Sequence, residues 1–407
     1  MHIAIIGLGH AGITAATEIH KISPEAEISI FTEESHPFYF RPQLFDVISG
    51  SKTPEEIIRY PKEWYKNNKI NLYINSPIVN ISPSKKELHL QSGQIISYDK
   101  LLITTGAKPF IPPVEGINDI EHYTLRNLED ANTIINRVHK SKTSKATIMG
   151  CGLLGLELAK ALSDRGLDIA LMEIFPYLLP RQLDQEGGDF LQHLLNRKFR
   201  FSFNLNVKCS SVKQENSTIT IQIEDHEPHI CDFLLISAGV QPDFELALKA
   251  GIKVNKGIIV DRFMRTNVED IYAAGDVVEV DRSEFPGNAW GIIPPAVDQA
   301  KIAARNICGQ ETAYKGTLPW TTLKVAGIDL TSLGQITLAK GIQQFVDFDY
   351  EKEIYRKLFF KEGVLQGAIL IGTKQDLSKI RLLTTRKASL EDVKKELDFD
   401  SFKALEN

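Results

Sequence analysis

The hydrophobic pattern opens with an unbroken run at residues 3 to 6, then a small-residue turn, then apolar positions at helical spacing through Ile19. A short apolar run without alternation reads as a strand covered on both faces, and the change to a 3.6-residue period reads as a helix packed on it. A second apolar run at 28 to 31 continues as a strand, and the whole order recurs with a strand at 146 to 149, a helix through Leu162 and a strand at 168 to 172. Two further short strands, around 101 to 103 and 233 to 236, each run into a glycine turn, at Gly106 and Gly239, and then a proline. They predict paired crossings between domains. A third such strand ends on Gly275-Asp276, and helical spacing follows from 296 to 307. Beyond about residue 319 the pattern predicts strands, among them 355 to 360 and 367 to 371. A final helix is opened by a capping box at Ser389 and Asp392 and carries Leu390, Val393 and Leu397 on one face. Strand and helix in alternation predict an α/β fold with two Rossmann-like dinucleotide-binding domains and a small α+β C-terminal domain.

With 407 residues the chain is too long for one compact core. Its 43% hydrophobic and 24% charged residues are those of a globular protein, and a net charge of −5 gives no sign of a nucleic-acid partner. The apolar start at 3 to 19 lacks a basic leader and contains His10 and three glycines, so it reads as strand, turn and helix and not as a signal peptide. No segment reaches the roughly 20 apolar residues of a spanning helix, so no membrane association and a cytoplasmic location are expected. The four cysteines, Cys151, Cys209, Cys231 and Cys308, are scattered without redox or zinc spacing. No metal ligand set and no working disulfide are expected from them.

The chemistry lies in the turns. Gly7, Gly9 and Gly12 form GxGxxG between a strand and a helix. In such a unit the first glycine permits the tight turn, the second lets a pyrophosphate approach the backbone, and the third allows close helix-to-strand packing. Glu33, about twenty residues on, is placed to accept hydrogen bonds from a ribose, although the adjacent Glu34 is an alternative. Gly150, Gly152 and Gly155 repeat the device, with Glu173 as the acid. Two such units imply two dinucleotides, held in separate modules.

The motifs GLGHAG, LLITTGAKP, TLRNLEDA, GCGLLGLELA, LLISAGVQPD and IYAAGDV, in this order over residues 1 to about 310, resemble the two-dinucleotide-binding flavoprotein, or pyridine nucleotide-disulfide oxidoreductase, family. Within it, FYFRPQL, LPRQLDQEGGDFL and TTLKVAGIDLTSLG are similar to the rubredoxin reductases and the flavin domain of assimilatory nitrite reductases. The resemblance implies an FAD domain over 1–113 and 242–318, an inserted NADH domain over 114–241, and a C-terminal domain over 319–407. It implies FAD pyrophosphate at Gly9 and Gly12, ribose at Glu33, phosphates at Arg41, adenine at the Val79 backbone and the ribityl chain at Asp276. Gly7, Gly106 and Gly275 would shape this site, Arg126 would add to it, and the helix at Ala296 would face the flavin. NADH would meet Gly150, Gly152, Gly155, Glu173 and Gly239. Electrons would pass from NADH through flavin N5 to a small acidic redox protein such as rubredoxin. The alternatives are an NADH oxidase or peroxidase, the electron-input part of a nitrite reductase, or a non-enzymatic NADH-sensing flavoprotein of the apoptosis-inducing-factor type. The oligomeric state stays open, a homodimer included.

Two departures from the family pattern stand out. Disulfide-using members carry cysteine near residues 40 to 46, where this chain has none. Ferredoxin-reductase-like relatives place a lysine where Asp46 stands, paired with the glutamate matching Glu157. Here either Lys324 supplies the missing charge or Asp46 and Glu157 share a proton as neighbouring carboxylates can. Trp64, Trp290 and Trp320 read as core residues, and His10 as a residue that the turn tolerates.

Overall fold

The computed structural model describes residues 1–140, 145–280, 291–317, 320–336 and 341–405, which leaves Trp290 outside the described residues. The chain divides into two compact units. One comprises Met1–Leu44, Lys52–Pro109 and Val240–Thr317, the other Phe45–Ser51, Phe110–Gly239 and Leu318–Asn407.

The first unit is built on a five-stranded parallel sheet in the order Ile271–Ala273, Lys100–Ile103, His2–Ile6, Glu27–Phe31, Ile70–Tyr73. The chain leaves His2–Ile6 to one side for its second and third strands and to the other side for its fourth and fifth, so the order reverses at this strand. In an open parallel sheet that reversal opens a crevice at the carboxyl ends. The run of apolar residues follows from coverage on both faces: Ile3, Ala4 and Ile5 are fully buried. The helices His10–Ile22 and Ile293–Ile307 pack on one another across this unit. The second helix begins three residues before the predicted Ala296, because Pro294 and Pro295 lie in its first turn, where their missing N–H groups cost nothing. The two glycine–proline crossings pair as antiparallel strands, Ala107–Pro109 with Val240–Pro242.

The second unit repeats the parallel plan with four strands, ordered Phe201–Leu205, Asp168–Glu173, Lys145–Met149, Phe233–Ile236. It also carries a six-stranded antiparallel sheet from the C-terminal segment, whose strands run from Trp320–Val325 to Lys403–Leu405. The helices Leu377–Thr385 and Leu390–Glu396 cover that sheet. Val393 and Leu397 enter its core with Leu390 packed beside them, so the apolar face is a packed seam. Trp64 and Trp320 are both partly buried against cores. Among the described residues no helix is long and apolar enough to cross a membrane.

The capping box is complete: the Ser389 hydroxyl accepts from Asp392 N at 3.2 Å, and the Asp392 carboxylate accepts from Ser389 N at 3.3 Å. Ser389→Ala should therefore cost about 1 kcal/mol, within the usual 0.5–2 kcal/mol of a lost cap, read as a lower midpoint in urea with an unchanged slope.

Candidate functional site

In the first unit the turn after His2–Ile6 leaves no room for side chains. A Cβ on Gly7, at φ +104°, would lie 2.3 Å from Thr104 O, and one on Gly12 would lie 2.1 Å from Gly7 O. The helix is thus pressed against its own strand. Gly9 is the N-cap of His10–Ile22, and a Cβ there would meet nothing within 4 Å. Gly9 supplies no side-chain cap to that helix, and no acid stands in its first turn. An uncapped N-terminus beside an open glycine fits the pyrophosphate of a dinucleotide. The helix Ile293–Ile307 is uncapped in the same way, and the Gln299 side chain in it accepts from Gly275 N at 2.9 Å. That bond ties the Gly275-Asp276 turn to the helix carrying Ala296. Gly291 N donates to Asp276 Oδ1 at 3.1 Å.

Glu33 stands two residues past the strand Glu27–Phe31, exposed at its tip. Burial, Asp243 and Glu34 push its carboxyl up, while Arg41 pulls it down. Glu34 accepts hydrogen bonds from Tyr39 Oη and Arg41 Nη2. The neighbour that could have replaced Glu33 is thus engaged with the arginine expected at the phosphates. Val79 lies at a register shift in the strand Ile78–Ser82, which leaves it without a partner in that ladder. Gly106, at φ +76°, accepts from Asp243 N at 2.9 Å at the start of the paired crossings. His10 is edge-on to Phe38 and Phe40. Arg126 belongs to the second unit, where its backbone N–H donates to Asp130 Oδ2 at 2.7 Å ahead of the helix Leu128–Lys140.

The second unit reproduces the turn. A Cβ on Gly155 would lie 2.0 Å from Gly150 O, while Gly152, the N-cap of Leu153–Ser163, has open space and no capping side chain. Glu173 ends the strand Asp168–Glu173 and accepts from Cys151 N at 2.8 Å, so the acid is fixed beside the glycine turn. Gly239 has one neighbour for a Cβ within 4 Å, Arg181 Nη2 at 3.9 Å. By sequence distance Arg181 stands too far past Glu173 to belong with it. Ahead of Arg181 the chain makes a tight turn at Leu179, which is buried at φ +55° and whose carbonyl accepts from Gln182 and Leu183.

Glu157 lies in Leu153–Ser163, and its Oε1 accepts from Ala326 N at 3.0 Å. Ala326 and Gly327 form the two-residue turn between Trp320–Val325 and Ile328–Gly334, both with positive φ, as a type I′ hairpin requires. An alanine in the left-handed region is strained, and its buried amide points at a carboxyl instead of water. Burial raises Glu157 to about 7 and Asp46 adds to the rise, while the Ala326 amide and Lys160 oppose it. Asp46 arrives on the segment Phe45–Ser51, which Arg165 holds by donating to Ile48 O. Lys324, by contrast, is exposed and makes no ion pair with Glu157 among the described residues. The structure thus gathers the two carboxyls and a backbone amide and leaves out the lysine put forward as the missing cation. Burial pushes up the thiols of all four cysteines, Cys209 to about 11, so little thiolate exists near neutrality. Among the described residues no cluster of His, Cys, Asp and Glu is placed to hold a metal ion.

Comparison with known proteins adds to this geometry. The family model described as pyridine nucleotide-disulphide oxidoreductase matches residues 1–303, and that described as rubredoxin NAD+ reductase C-terminal domain matches 319–388. A nitrite reductase [NAD(P)H] of Bacillus subtilis is 30% identical over 97% of this chain, and the chain spans about half, 48%, of that relative. The NADH-rubredoxin oxidoreductase of Clostridium acetobutylicum is 31% identical over 96% of both chains. The crystal structure of the NADH:rubredoxin oxidoreductase from the same organism superposes with a TM-score of 0.78 at 28% identity, covering 97% of this chain and 99% of that one.

The Glu157 environment carries a pH signature. Folded Glu157 keeps its proton to about pH 7, whereas an unfolded glutamate releases it near 4.5, so the folded state binds more protons between these values and loses stability as pH rises. Glu157→Gln should therefore gain stability relative to the parent on going from pH 5 to pH 8. The gain should be at most about 3 kcal/mol and smaller in proportion to the solvent reaching this half-buried group. Urea titrations at both pH values measure it, and an equal difference at the two would remove the raised carboxyl.

Proposed function

The chain belongs to the pyridine nucleotide-disulphide oxidoreductase family, and on that premise we propose that it is an FAD-dependent oxidoreductase taking electrons from NADH for a small redox protein, with rubredoxin as favoured acceptor. The observation that carries this reading is the duplicated turn. Each parallel sheet ends in a glycine-pressed strand and an uncapped helix N-terminus, with an acid past the following strand, and one such site serves each dinucleotide.

On this reading the FAD domain takes 1–113 and 242–318, the NADH domain 114–241, and the C-terminal domain 319–407. Gly7, Gly9 and Gly12 leave the backbone open to the FAD pyrophosphate, with Arg41 and the helix dipole supplying positive charge. Glu33 takes the adenosine ribose, the Val79 backbone the adenine, and Asp276 the ribityl hydroxyls, with Gly106, Gly275 and Ala296 lining the remainder. FAD, when bound, supplies a relay between a two-electron nicotinamide donor and a one-electron iron acceptor. The chain's own task is positioning, since the reaction at the nicotinamide needs alignment far more than an acid or base. Gly150, Gly152, Gly155 and Gly239 admit the coenzyme, and Glu173, fixed by the Cys151 amide, accepts from its ribose. Glu157, bonded to the Ala326 amide, has its carboxyl raised to about 7 by burial and, to a lesser degree, by Asp46.

The cysteine-free segment 40–46 supports this reading over an oxidase or peroxidase working through a flavin-side thiol. A second reading, the electron-input part of a larger nitrite reductase, is favoured by the chain's match to about half of such a relative. Anaerobic reduction by NADH, followed by rubredoxin, oxygen, peroxide and a nitrite-reductase partner in turn, separates these. Bleaching of a protein that releases FAD on denaturation and fast reoxidation by rubredoxin are expected. A colourless protein would sink the flavin assignment, and a flavoprotein that ignores rubredoxin would sink that acceptor.

NADH should have the higher kcat/KM, because the Glu173 carboxylate accepts from a free 2′-hydroxyl and repels a 2′-phosphate. Glu173→Ala should narrow the gap. Steady-state kinetics with both coenzymes read this directly, and a parent enzyme that prefers NADPH would contradict it.

A further inference from the structure

The strand Ile354–Lys361 is buried from Tyr355 to Phe360, and its successive charged residues meet different partners. Arg356 turns to one face, where it pairs with Asp347 and lies over the Phe402 ring. Tyr355 and Lys357 turn to the other, and both reach Asp184: Lys357 Nζ at 2.5 Å from Oδ2, Tyr355 Oη at 3.5 Å from Oδ1. Lys357 also donates to Glu186 Oε2 at 2.7 Å. The Lys357 side chain is 2% exposed and that of Asp184 6%, so neither charge is satisfied by water. A lysine buried to this degree is retained only where carboxylates meet it.

Asp184 has a second duty. Its Oδ1 accepts from Gly187 N at 3.0 Å as the N-cap of Gln185–Lys198. One carboxylate therefore starts the helix and receives the lysine. The segment that it ends begins at Glu173, turns in the left-handed region at Leu179, and carries Arg181, whose guanidinium borders the open face of Gly239. Leu178, Leu179 and Leu183 are buried along it, so the segment is seated by its apolar side and pinned at its far end by charge. Strain of this kind persists only where the surroundings over-determine the backbone.

We propose that the Lys357–Asp184 pair is a positioning device for the coenzyme: a lysine from the C-terminal segment fixes the loop between Glu173 and Asp184 and thereby holds Arg181 at Gly239. This rests on the reading of Gly239 and Glu173 as NADH-binding. Lys357 touches no coenzyme itself and acts through the loop. Losing it leaves Asp184 buried and unpaired, and the loop must move to hydrate that carboxylate.

The test compares the flavin-loaded parent with Lys357→Met and with Lys357→Met/Asp184→Asn, which removes both charges while asparagine keeps the cap. NADH dissociation constants by titration and steady-state constants with a neutral dye are measured for each. KM and Kd for NADH should rise at least about fivefold in both variants, with kcat within twofold and flavin content unchanged. Arg181→Gln should give a similar rise that does not add to that of the pair. A double variant with parental KM and Kd but a lower melting temperature would make the pair merely structural and overturn the proposal. Should neither truncation fold, Glu186→Gln, at a half-exposed partner, must raise KM about twofold, and an unchanged value overturns the proposal in the same way. A parent that neither binds nor oxidises NADH overturns the functional reading, and the clamp with it.

Discussion

Everything in the site hangs on two places where a helix is pressed against the strand that precedes it. At Gly12 and Gly155 a methyl group would come within about 2 Å of a backbone carbonyl, so the helix can sit there only because that atom is missing. The close seat brings the helix N-terminus to the carboxyl end of the sheet, at the strand where the order reverses. The glycine at each N-cap supplies no side-chain cap, and a Cβ there would meet nothing within 4 Å. A glycine N-cap forgoes only a few tenths of a kcal/mol, roughly, against serine or aspartate. The same lack of a side-chain cap recurs at Ile293–Ile307, and helix ends of this kind suit a negative charge.

Around this constraint the charged side chains form local pairs that prepare surfaces without closing them. Glu34 holds Arg41 near the first turn, the Cys151 amide holds Glu173 at the second, and Arg165 carries the segment with Asp46 to Glu157. The carboxyl pair is the largest departure from a lysine–glutamate arrangement. A lysine there would keep Glu157 ionised. Burial, with a smaller push from Asp46, raises the Glu157 carboxyl, and the strained Ala326 amide and Lys160 oppose the rise.

In the second unit the C-terminal segment reaches helices of the preceding part of the chain. Its antiparallel sheet supplies the Ala326 hairpin tip to one helix and Lys357 to the start of another. Both contacts end on carboxylates carried by the nucleotide-binding part. The segment is therefore engaged with the turn-bearing layer through directional bonds as well as apolar packing.

The sequence alone determined what depends on short-range backbone geometry. The buried strands, the two glycine turns, the acids after the second strands and the capping box at Ser389 were all legible, because each is a local rule written within some thirty residues. The partner of Glu157, the reach of Arg181 and the destination of Lys357 were not legible. Nothing in the spacing pointed to Gly239 as the neighbour of Arg181, which follows a left-handed residue at Leu179. Lys324 was one of two candidates to meet Glu157, yet the hairpin presents a backbone amide two residues on and leaves the lysine exposed. Lys357 sits in an apolar strand 173 residues from its partner, with no local pattern to announce it. Only the tertiary structure decides such contacts, since a charge buried far along the chain is tolerated only where folding brings a counter-charge to it.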